Sequence, residues 1–156
     1  MKRHLAQAVM LLFLCFPCQA LPFQCPCGIL TIDVPDPNLF DFMRISYDQF
    51  NNPLIIYNPI LLRQAPLLLQ QFFWMHECGH HCRGHLAILM QQGSPLSMAW
   101  TNVNLELDAD CFAASNVPHE SSQAAYDFFR KQGPVSPHPA YPNYWQRSDV
   151  IAQCAQ

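Results

Sequence analysis

The chain has 156 residues with a net charge of −3, eight Lys and Arg standing against eleven Asp and Glu, and it carries eight cysteines. That length suits one compact domain rather than two. With no basic stripe, the composition argues against nucleic acid as a partner.

Residues 1–20 read as a secretory signal. Lys2 and Arg3 form a positive start, and Leu5 to Phe16 is apolar over about 12 residues, short of the roughly 20 that span a bilayer. Cys18-Gln19-Ala20 puts small residues at both cleavage-determining positions, so cleavage is expected after Ala20. Residues 21–156 are then one domain, secreted or periplasmic, with no integral membrane span after signal removal. Six cysteines remain: Cys25, Cys27, Cys78, Cys82, Cys111 and Cys154. An even number in an oxidising compartment favours disulfides, with the pairing left open; Cys25-Pro26-Cys27 and Cys78/Cys82 lack the C-x-x-C spacing of zinc thiolates.

Gly28 to Val34 is β-prone and stops at Pro35, Phe42 to Tyr47 is a second candidate strand, and Pro53 to Tyr57 a third after the Asn51-Asn52 turn. They predict a small, mostly antiparallel sheet of about three strands. Asn58-Pro59 opens a helix and Pro66 a second one, which the pattern continues to about Gln92, before Gly93-Ser94-Pro95. Apolar almost all round, this helix is expected to be the buried centre of a mainly helical α+β domain.

That helix carries His76-Glu77-Cys78-Gly79-His80. Residues four apart share a helix face, since each turns the chain by about 100°. His76 and His80 can therefore hold one zinc ion per chain, and the Glu77 carboxylate can take a proton from a water that the metal activates. A third ligand is needed. The glutamates are Glu77, Glu106 and Glu120, and Glu106 opens the segment Glu106 to Ala114, whose small and apolar residues suit a buried helix packed closely on another. Asp110, one turn on, can accept the free ring N–H of a ligand histidine and fix its tautomer. Asp108 falls on nearly the opposite side. His81 is about 100° round from His80, and His85 lies on roughly the opposite face of the continuous helix from His76, so neither should reach the metal. The connection from Pro95 to Thr101 reads as irregular, with Thr101 or Asn102 as N-cap, and Met98-Ala99-Trp100 as a roof or as core.

H-E-x-G-H followed by E-x-x-A-D resembles the gluzincin metallopeptidases, particularly their HtpX-like and minimal "minigluzincin" members, over about Asn58 to Ala114. The resemblance implies a zincin-like fold with zinc on His76, His80 and Glu106, Glu77 as general base, and Asp110 supporting the ligands from behind. Gly84-His85 is similar to an extension that plays a structural part in such sequences. After Asn116-Val117-Pro118 a helix is expected over Ser121 to Gln132, then a proline-rich loop and a final helix around Arg147 to Gln153. His138-Pro139 and Arg147 resemble the H-P…R segment of these peptidases, at a wider spacing. This implies a catalytic His138 at the active site and Arg147 bordering it; the alternative is a solvated loop histidine and an Arg147–Asp149 pair. Tyr141 and Tyr144 are further candidate donors to an oxyanion. The implied activity is hydrolysis of a peptide or protein substrate, with the strand Leu54 to Tyr57 offering its edge to an extended peptide. The competing reading is a non-catalytic or latent, zinc-stabilised secreted binding module. Against it stand Glu77 and a three-ligand set, since structural zinc sites usually have four.

Overall fold

In the computed structural model, residues 23–92 and 94–155 are described, with the backbone alone at 23, 95–97 and 100. The expected signal at 1–20 lies outside the described residues. The β-prone segments form β1 (Phe23–Gln24), β2 (Leu30–Pro35), β3 (Met43–Tyr47) and β4 (Pro53–Tyr57), ordered β1-β2-β4-β3. The outer pairings are antiparallel, as expected, while β2 and β4 run parallel with Asp33 opposite Ile55. The β3–β4 hairpin closes on Asp48, whose Oδ1 accepts the N–H groups of Phe50 and Asn52, the kind of local bond that makes Asp a turn former. Asn58 then fixes the exit from β4. Its Oδ1 caps the next helix at Ile60 and Leu61, and its Nδ2 donates to Leu39 O at 2.7 Å.

The helices are α1 (Pro59–Leu62), α2 (Leu67–Cys82), α3 (His85–Met90), α4 (Pro95–Asn116), α5 (His119–Gln132) and α6 (Tyr144–Cys154). The long helix from Pro66 does not run to Gln92. It stops at Cys82 because Gly84 adopts φ +67°, a left-handed conformation that costs a residue without a Cβ little, and α3 restarts in a new direction. Nor is the segment Pro95 to Thr101 irregular: it is the first part of α4, with proline where its missing N–H is not needed. Thr101 and Asn102 therefore lie inside a helix, and Asn102 Nδ2 donates to Ala140 O at 2.7 Å. Met98 is exposed; the side chain of Trp100 lies outside the described residues. At the far end, Asn143 and Gln146 form a capping box that starts α6 at Tyr144, earlier than expected.

α2 packs on α4, α5 and β3. Its buried Leu69, Phe72, Phe73 and Cys78 meet Ala113, Ala114, Ala125 and Phe129 from α4 and α5. Small residues set the α2–α4 spacing. A Cβ on Gly79 would stand 3.2 Å from Ala109 Cα and from two Phe112 atoms. Three disulfides join Cys25 to Cys78, Cys27 to Cys82, and Cys111 to Cys154. The first two tie the N-terminal strands to α2, and the third ties α6 to α4. Among the described residues no helix is long and apolar enough to cross a membrane.

Candidate metal centre

The helical period that places His76 above His80 on α2 turns both imidazoles toward α4. There Glu106 and Asp110 share a face, and the close approach at Gly79 lets the two pairs meet. His76 Nε2 lies 3.0 Å from His80 Nε2 and 3.3 Å from Glu106 Oε2, and His80 Nε2 lies 3.5 Å from Glu106 Oε1. All three side chains are buried, and together they could hold a metal ion.

Each histidine is held from behind by its other nitrogen. His76 Nδ1 meets Asp110 Oδ1 at 2.9 Å. Asp110, fully buried, receives both Arg147 Nε at 2.7 Å and Nη2 at 2.6 Å, while the guanidinium lies 4.1 Å above the Phe129 ring. His80 Nδ1 meets His85 Nδ1 at 3.0 Å, and His85 Nε2 meets Asp108 Oδ2 at 3.0 Å.

Charges in the cluster are strongly coupled. Burial disfavours a charged His76, yet the Asp110 carboxylate, with Glu106, outweighs it and lifts the group to about 10. Burial and the neighbouring His76 charge push His80 down to about 3. Glu106 is held at about 2 by His76 and His80 in spite of burial, and Asp110 is held low in spite of burial by Arg147 and His76. Glu77 differs: burial pushes its carboxyl up to about 7. It opens on a cleft of about 520 Å³ that also exposes Glu106, Tyr141, Arg147, Leu86 and the β3 residues Met43 to Ile45.

The structure brings His76, Glu77, His80, Glu106, Asp110 and Arg147 together. His138 is not among them. It sits exposed in the loop before α6, where its Nδ1 accepts the Ala140 N–H at 3.1 Å and its ring meets the edge of Tyr141. That turn sends Tyr141, not His138, toward the cleft. The alternative Arg147–Asp149 pair does not form, because Asp149 binds Arg130 at 2.9 Å. His81 lies off the cluster, donating from Nε2 to Leu54 O at 2.9 Å. β4 has no free edge for a peptide, being paired on one side with β2 and on the other with β3; the edge strands are β3 and the two-residue β1. An unbroken helix would carry His85 to the far face; the left-handed turn at Gly84 brings it behind His80 instead, and that glycine is the signal for its position. No family model, curated protein or solved structure matches the chain.

Proposed function

We propose that the chain is a metal-dependent hydrolase. More narrowly, it is a zinc metallopeptidase of the gluzincin type, exported into an oxidising compartment and acting on an extended peptide. Zinc bonds of 2.0–2.1 Å in a tetrahedron separate ligand atoms by roughly 3.3 Å; here His76 Nε2 stands 3.0 Å from His80 Nε2 and 3.3 Å from Glu106 Oε2, with the other Glu106 oxygen, Oε1, 3.5 Å from His80 Nε2. The donor set, two imidazoles and a carboxylate, is that of catalytic rather than structural zinc. When bound, zinc supplies a Lewis acid that polarises a carbonyl and brings the pKa of water near 7.

The observation that carries the reading is Glu77, a buried carboxylate on the cleft side of the ligand cluster with a pKa of about 7. A group so poised can accept a proton from an attacking water and return it to a leaving amine. His76, His80 and Glu106 hold the metal, and Asp110 with Arg147 keeps His76 in the tautomer that leaves Nε2 free. The β3 edge beside the cleft offers unpaired backbone groups, on which an extended peptide can add as a further strand. Three disulfides and the signal-like start support export.

The test is zinc stoichiometry of the purified chain together with cleavage of an unfolded protein, for wild type and Glu77→Gln. One zinc in both, with cleavage by wild type alone, is expected. One zinc in both without cleavage would favour the binding module, and no zinc in either would sink the ligand assignment.

A further inference from the structure

We propose that His85 and Asp108 are positioning residues for the ligand His80, acting through a hydrogen-bonded relay that runs from the protein surface to the metal centre. This rests on the metal-site part of the reading above.

Each ligand imidazole turns one nitrogen to the metal cluster and the other away from it. His80 Nε2 faces His76 and Glu106, so for that nitrogen to offer its lone pair, the ring proton must sit on Nδ1. A proton on His80 Nδ1 has one partner at hydrogen-bond distance, His85 Nδ1 at 3.0 Å. His85 can accept there only as the tautomer protonated on Nε2, and that N–H in turn meets Asp108 Oδ2 at 3.0 Å. A carboxylate at the outer end therefore orders both rings in one direction: Asp108 accepts from His85, His85 accepts from His80, and His80 is left with a free Nε2. The two rings cross at 82° with centroids 5.0 Å apart, so His85 also limits how far His80 can swing.

His76 is ordered in the same sense, but by a single step to Asp110. The two supports differ in their surroundings. Asp110 is fully buried and clamped by Arg147, while the Asp108 side chain is 45% exposed with Arg83 Nε 3.6 Å away. One ligand is thus keyed to the interior and the other to the surface. Gly84 makes this possible, since its left-handed turn folds His85 back over His80. A histidine that only filled space would need neither nitrogen aligned, whereas both nitrogens of His85 are engaged.

The test measures zinc affinity by competition with a chromophoric chelator, and the visible spectrum of the cobalt(II) form, on the disulfide-bonded full chain. Partners behind metal ligands typically contribute about 10–100-fold in affinity. We expect Asp108→Ala to weaken zinc about tenfold and shift the cobalt bands, with the unfolding midpoint of the metal-free chain little changed. His85→Leu should weaken zinc up to about 100-fold, and His85→Gln, whose side-chain carbonyl can accept the His80 N–H, should recover most of it. If His85→Leu fails to fold, Asp108→Ala at the surface and His85→Gln still decide the matter. Wild-type affinity and an unshifted cobalt spectrum in Asp108→Ala and in His85→Leu would overturn the relay and leave the metal site standing. No metal bound by the wild type would overturn both. Zinc binding that depends on Asp108, in a chain that cleaves no peptide, would uphold the relay and remove only the peptidase reading.

Discussion

Replacing Gly79 by alanine is expected to loosen the metal centre more than it unfolds the protein. Gly79 stands immediately before His80, and an added Cβ meets Ala109 Cα, Phe112 Cβ and Phe112 Cδ1, each at 3.2 Å. Comfortable carbon contacts are about 3.5–4.0 Å, so α2 and α4 must part by a few tenths of an ångström. Alanine gains about 1 kcal/mol over glycine inside a helix, while overpacking a tight contact costs about 1–3 kcal/mol. The two nearly cancel, leaving a net loss of about 0–2 kcal/mol. Metal binding has no such compensation, because the helix pushed away carries Glu106 and Asp110, and a shift of a few tenths of an ångström takes up most of the roughly 0.5 Å within which such a site must hold its groups. Chelator competition should show zinc held at least about tenfold more weakly, and urea unfolding of the metal-free chain a small change. A variant about 1 kcal/mol more stable than wild type, with unaltered zinc affinity, would refute the reasoning by showing that the helices have room for the methyl group.

Glu77→Gln should change how stability depends on pH. Burial raises the Glu77 carboxyl from 4.5 to about 7, so the folded metal-free chain keeps a proton that the unfolded chain gives up, and stability is lost as pH rises from 4.5 through about 7. At 1.36 kcal/mol per unit the loss approaches roughly 3 kcal/mol above that range. Urea titrations at pH 5 and pH 8 should therefore show the glutamine variant gaining on wild type at the higher pH; an equal difference at both would contradict this. Arg147→Met strands the fully buried Asp110 and should cost about 3–5 kcal/mol in thermal or urea unfolding. A loss under about 1 kcal/mol would mean that His76 alone satisfies the carboxylate. Among the disulfides, Cys25–Cys78 and Cys27–Cys82 close nearly the same loop, with separations of 53 and 55. Once the first exists, the second closes only a short ring. Removing Cys27–Cys82 as a pair of alanines should cost about 2–3 kcal/mol, less than the roughly 4 kcal/mol for Cys111–Cys154 at separation 43. The reverse order in denaturant unfolding would argue against this account.

The parts of the fold written in local periodicity were legible beforehand. Residues four apart share a helix face whatever surrounds them, so His76 with His80 and Glu106 with Asp110 could be paired from spacing, and the small residues of Glu106 to Ala114 announced a close helix contact, although its partner Gly79 was not marked. What escaped depends on single backbone turns or on distant partners. One left-handed glycine redirects everything after it, and so His85 moved from the far face to the back of His80. Pro95, read as a stop, is the first residue of α4, since a proline is equally at home at either reading. Strand order is non-local: nothing in Pro53 to Tyr57 says that β2 will pair beside it and deny it a free edge. His138 stands as the alternative has it, a solvated loop histidine, because the direction of a proline-rich loop is set by its own hydrogen bonds, here to Ala140, and not by a motif.

Two bridges lie wholly within residues 25–82 and the third within residues 111–154, so among the described residues no disulfide spans the stretch from 83 to 110. The described residues are topologically two cross-linked loops strung on one thread, and the site divides the same way. His76, Glu77 and His80 belong to the first loop, while Asp110 and Arg147 join Glu106 on the side of the second. A cut between α2 and α4 would leave each loop intact and held to the other by packing and by whatever the three ligands grip. A chelator added after such a cut would loosen the grip at the ligands and leave the two loops joined by the core that α2 shares with α4 and α5.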